Sequence, residues 1–167
     1  MKRLSAYLLG ALVLASCASR PGSDNDAVAG AAPKPVFERS EAPDPAPLAG
    51  IGIPSGSCGL VLWARSGSRV APIFRSIGAT DAVMKIEGAE VPLSLVQQSG
   101  ELRLGLRAQQ TYRSAEGAAA VVTVQNRLTW GQPFPGGIYV ERGAITVEGE
   151  DGWSRVLPVA GIAGCKR

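Results

Sequence analysis

From residue 51 onward the apolar residues recur with period two. Ala82, Met84 and Ile86 alternate with Val83, Lys85 and Glu87. Val91, Leu93 and Leu95 alternate with Pro92, Ser94 and Val96, and Leu102, Leu104 and Leu106 with Arg103, Gly105 and Arg107. Successive side chains of a strand point to opposite faces, so this period puts one face in a core and the other in water. Segments 58–64, 70–77, 121–130, 138–147 and 153–159 continue the series, and Pro72 marks 70–77 as an edge strand or a bulged one. Turn pairs punctuate the runs: Glu87-Gly88, Ser99-Gly100, Glu116-Gly117, Gly136-Gly137 and Asp151-Gly152. Segment 108–120 is the least regular, and Gly117 argues against a helix there. The pattern predicts an all-β domain over 51–167, with about eight antiparallel strands in a barrel or a sandwich.

The N-terminal part follows different rules. Lys2 and Arg3 precede an apolar run from Leu4 to Leu14. That run is too short for a membrane span, which takes about twenty residues. A charged start, a short apolar core and small residues at the cut describe a secretory signal over 1–16. Its end, Leu14-Ala15-Ser16-Cys17, resembles the lipobox of bacterial lipoproteins. The resemblance implies diacylglycerol on the Cys17 thiol, cleavage after Ser16 and a further acyl chain (typically palmitate) on the new amino terminus. Ala18 rather than Asp after the cysteine implies the outer membrane. Stable anchoring takes about two acyl chains.

Residues 17–50 then read as the lipidated cysteine and a disordered tether. Six of the twelve prolines fall here (Pro21, Pro33, Pro35, Pro43, Pro45 and Pro47), and Val36-Phe37, read as incidental, is the only bulky apolar pair. Such a stretch buries too little apolar surface to offset the entropy of ordering. Fully extended, residues 18–50 reach at most about 110 Å; as a flexible coil they span about 30 Å.

An exported domain lives in an oxidising compartment, where disulfides persist. With Cys17 lipidated, Cys58 and Cys165 remain, near the two ends of the β domain, and they are expected to pair. In the chain-entropy treatment, closing a loop of about 100 residues stabilises by roughly 4.7 kcal/mol.

Charge and chemistry narrow the function. The formal charge of +3 includes Lys2 and Arg3; without them 15 Lys and Arg stand against 14 Asp and Glu, which gives no basic footprint for nucleic acid. Over 51–167 the balance is 12 against 9, a mild positive excess. The chain has no histidine. This removes Ser–His–Asp and Cys–His catalysis, His-based zinc sites and the usual proton shuttle near neutral pH. Neither a phosphate-binding loop nor a dinucleotide fingerprint is present. No enzymatic activity, cofactor or metal is expected; Glu148, Glu150 and Asp151 read as a solvated turn rather than a calcium loop.

Two candidate binding features stand out. Segment 130–139 combines Trp130, Phe134 and Tyr139 with Pro133, Pro135, Gly131, Gly136 and Gly137. Aromatics on a proline-stiffened loop offer flat faces to a protein or a sugar at low ordering cost; the alternative is a long connection folded back over the core. Arg103 and Arg107, with Arg113 beyond them, are expected to share one face of a strand region, as an anion-binding row or as its solvent side. The stretch Leu157 to Cys165 reads as a structural closing strand whose small residues permit close backbone approach.

Anchor, β domain and disulfide are similar in architecture to the small lipoprotein inhibitors of lysozyme, with Tyr112-Arg113-Ser114 nearest to their inhibitory loop. The expected function is a non-enzymatic module on the outer membrane, facing the periplasm, that binds an envelope protein. The alternative is a binder of envelope glycan or lipid through the 130–139 aromatics and the arginine row.

Overall fold

The computed structural model describes residues 41–167. The signal segment, Cys17 and Val36-Phe37 lie outside the described residues. Nine strands follow one another: β1 (Pro45–Ala46), β2 (Cys58–Ser66), β3 (Arg69–Ile77), β4 (Asp81–Ile86), β5 (Ala89–Arg103), β6 (Leu106–Ser114), β7 (Val122–Phe134), β8 (Gly137–Gly149) and β9 (Ser154–Cys165). From β2 to β9 each strand pairs antiparallel with the next, and β9 pairs back onto β2. The result is a closed eight-stranded up-and-down barrel with β1 added.

Alternation does what the sequence asks of it. Leu60, Leu62, Phe74, Met84, Val91, Leu93, Tyr112, Val124, Ile145 and Val147 point inward and make one core. Phe74 and Tyr112 meet edge to face there, with centroids 5.4 Å apart. Closure removes the free edges that an open sheet would expose. At one end β2 and β9 are bridged by the disulfide between Cys58 and Cys165, which sit opposite each other in the ladder. The turns β3–β4, β5–β6 and β7–β8 share this end, which we call the disulfide end. The turns β2–β3, β4–β5, β6–β7 and β8–β9 lie at the other, the mouth end.

Several boundaries differ from the sequence reading. Leu104 and Gly105 both have positive φ, 50° and 77°, so they form a tight turn between β5 and β6 rather than the middle of one strand. Ser99-Gly100 is not a turn: β5 runs through it with an irregularity between Ser99 and Leu102. Segment 130–139 is no long loop; β7 continues to Phe134 and a tight Pro135-Gly136 turn leads into β8. Pro72 sits at a bulge, where Trp63 skips Ile73 to pair with it.

The domain also begins earlier than residue 51. Pro45 and Ala46 pair with Ile86 and Lys85 on the side where β3 has left β4, and the Leu48 amide donates to the Pro72 carbonyl at 2.8 Å. Leu48 and Pro43 are buried. Arg155 of β9 holds the same segment from across the mouth: its Nε donates to the Pro43 carbonyl at 3.1 Å, and its Nη1 lies 3.3 Å from the Asp44 carboxylate. Residues 42–48, assigned above to the tether, therefore strap the mouth end.

Candidate functional site

In a barrel standing in water only the inner face of each strand needs to be apolar. The outer faces of β6 and β7 obey this: Arg107, Gln109, Thr111 and Arg113 on one, Thr123, Gln125, Arg127 and Thr129 on the other. Strand β9 does not. Its outer positions are Ser154, Val156, Pro158, Ala160, Ile162 and Gly164, and no charged residue occurs between Val156 and Cys165.

The cross-strand neighbours extend this apolar stripe. Ile162 lies between Val61 of β2, itself buried, and Tyr139 of β8, Ala160 beside Trp63, and Pro158 beside Ala144. Val156 is 62 % exposed and Tyr139 51 %. Single exposed apolar residues are ordinary, but a contiguous apolar patch marks an interaction surface.

At the disulfide end the stripe deepens into a groove of about 370 Å³ lined by Ile53, Val61, Phe134, Pro135, Ile162 and Lys166, among others. Glycines make the concavity. A Cβ on Gly59 would strike the Ile53 side chain, so Ile53 lies directly on the strand; a Cβ on Gly137 would strike the Phe134 ring, which lies over that backbone. Phe134 and Tyr139 touch, with centroids 4.8 Å apart at 49°.

The sequence candidates are thus divided. Phe134 and Tyr139 come together on the outer wall beside Ile162. Trp130 turns away from them: it packs against the core, and its indole N–H donates to the Glu101 carbonyl at 3.3 Å. The arginines form no row. Arg103 ends β5, pairs in the ladder with Leu106 and bonds to Glu101, whereas Arg107, the second residue of β6, pairs with Leu102 and donates to the Gly100 carbonyl at 3.0 Å. Paired residues share a face, so the two guanidinium groups start from opposite faces. Tyr112 is fully buried within β6, so Tyr112-Arg113-Ser114 is strand and not loop. Among the described residues, Glu148, Glu150 and Asp151 do not assemble into a group that holds a metal ion.

Among the described residues the buried polar side chains are Ser76, Gln110 and Asn126. Gln110 and Asn126 face each other across β6 and β7, both buried, and their amides find no partner among the described residues. Nearby, the Tyr112 hydroxyl donates to the Ala79 carbonyl at 3.4 Å. Burial pushes its phenol above the usual range, partly opposed by the Ser76 hydroxyl.

The stripe on β9 was missed in the sequence, although its signal was present. Ten uncharged residues in a row, without polar alternation, mean a strand apolar on both faces. Reading Leu157 to Cys165 as close packing explained the small residues, and Gly161 indeed has no room for a Cβ against Leu62 and the Val61 carbonyl; it left the outward Val156, Pro158 and Ile162 unexplained. No protein-family model, curated protein or solved structure matches this chain.

Proposed function

We propose that the protein is a non-enzymatic binding module of the bacterial envelope, anchored by lipid at Cys17 to the outer membrane with its barrel in the periplasm. In this reading it engages a protein through the outer wall of β9. The carrying observation is the charge-free outer face of β9, flanked by Phe134 and Tyr139. Burying such a face is favourable by about 25 cal/mol per Å² of apolar area. Tyr139 is well suited as an anchor, because a half-exposed aromatic gives large contact area for two side-chain torsions. The lipobox at 14–17 and the tether up to the strap supply the address and the reach.

A photo-crosslinking residue at position 139 tests this in cells. A discrete protein adduct is expected from 139 and none from position 94, on β5 across the barrel. Adducts of equal yield from both positions, or none from either with the barrel folded, would remove the basis for the reading.

A further inference from the structure

We propose that the partner of this wall is a second copy of the same chain, the two barrels lying side by side about a twofold axis parallel to β9. The inference rests on the reading of β9 as a binding face and names its occupant.

Charge selects both this partner and this axis. The stripe is apolar along its centre and charged on both flanks, with unlike signs. On the β2 and β3 side every charged residue is a cation: Arg65, Arg69 and Arg75. On the β8 and β7 side, with the hairpin to β9, the charges are Glu141, Glu148, Glu150 and Asp151 against Arg127 and Arg142. Arg155 also belongs to this side, but Asp44 and the Pro43 carbonyl occupy it. Lys166 lies at the foot of the groove, beyond the end of β9. Arg65, Arg69, Glu141, Glu148 and Glu150 are exposed, and none forms an ion pair among the described residues.

A twofold axis along β9 lays the β8 flank of each copy over the β2 flank of the other. Each acidic side then meets a cationic side, twice over, as an isologous contact requires. A twofold axis across β9 would instead set acidic flank over acidic flank and cationic over cationic. The parallel arrangement also sends residue 41 of both copies out at the mouth end, so that both tethers reach one membrane.

The size of the stripe sets the strength. The ten positions from Val156 to Cys165 span about 33 Å and three strands about 14 Å. That is on the order of 450 Å² per copy, about half of what one partner gives to a standard stable interface. The pairing is weak in dilute solution and is promoted by confining both copies to a membrane, which raises their effective concentration.

Single cysteines in the full-length lipidated protein, oxidised in membranes, test it. With Cys58 and Cys165 bridged and Cys17 acylated, an introduced thiol is the only free one. A parallel axis brings each outer β9 position against its own copy, so Val156→Cys, Ala160→Cys and Ile162→Cys should each give a disulfide-linked dimer, and Thr129→Cys none. Arg65→Glu should reduce the Ala160→Cys dimer about tenfold, and adding Glu141→Arg, which the ladder places nearest in height, should restore it. A dimer from Ala160→Cys alone would overturn the parallel arrangement. No dimer at any of the three, while a photo-crosslinker at 139 still captures a different protein, would overturn self-association and leave the binding reading standing. No capture of any kind would sink both.

Discussion

At single residues, the inner wall is fixed by side chains such as Tyr112, which is fully buried and meets Phe74 edge to face. Leu93, Met84 and Ile86 announce themselves by alternating with polar neighbours, and each is buried. Leu104 obeyed the same alternation and misled, because period two does not reveal a two-residue turn; the turn reverses the parity, so Leu102 shares a face with Arg107 and not with Leu106. Gly105 beside it was the available signal. The arginine row failed with that turn. Tyr112 gives a prediction at this scale. Its folded-state pKa lies above the unfolded value of about 10. Below that pH the phenol is protonated in both states, and its contribution to stability is full. Above it the unfolded chain ionises first, so stability falls as pH rises. Denaturant titrations should show a steeper loss between pH 9 and 11 in the native protein than in Tyr112→Phe, within about 1 kcal/mol of each other at neutral pH. Parallel pH profiles would contradict the burial assigned to this hydroxyl.

Among the elements, the strands from β2 to β9 were legible because hydrophobic period and turn residues agree. Pro72 was legible as a defect, but not what the defect is for: by parting β3 from β4 it opens the place where Pro45, Ala46 and Leu48 enter. Proline-rich composition alone hid this strap, since its hydrogen-bond partners lie far away in sequence. The strap makes a clear prediction. Were residues 42–48 part of a tether, Leu48→Ala would cost nothing measurable. Because Leu48 is buried, the change should destabilise the barrel by about 2–3 kcal/mol, near the lower end for core leucines. Arg155→Ala should cost less, about 1 kcal/mol, since its contacts are partly exposed. Urea midpoints unchanged by Leu48→Ala would return the strap to the tether.

At the level of the whole molecule, fold class and disulfide followed from the sequence, and barrel rather than sandwich from the β9–β2 pairing alone. That pairing joins the two ends of the β domain and has no local signature. The binding surface was legible only in part. Phe134 and Tyr139 could be singled out as aromatics, but Val61 and Ile162 join them only once the barrel closes and brings β2, β9 and β8 side by side. If β9 is a binding face, this wall is covered in the cell. Thiol accessibility measures that directly. Cysteines at 156, 160 and 162, and at 129 as a reference, are treated in intact cells with a maleimide that reaches the periplasm, and then again in the purified, detergent-diluted protein. Under the account, all three β9 positions label poorly in cells and fully after dilution, while position 129 labels in both. Labelling of the β9 positions in cells as fast as position 129 would contradict it, and the stripe would be an exposed wall with no partner.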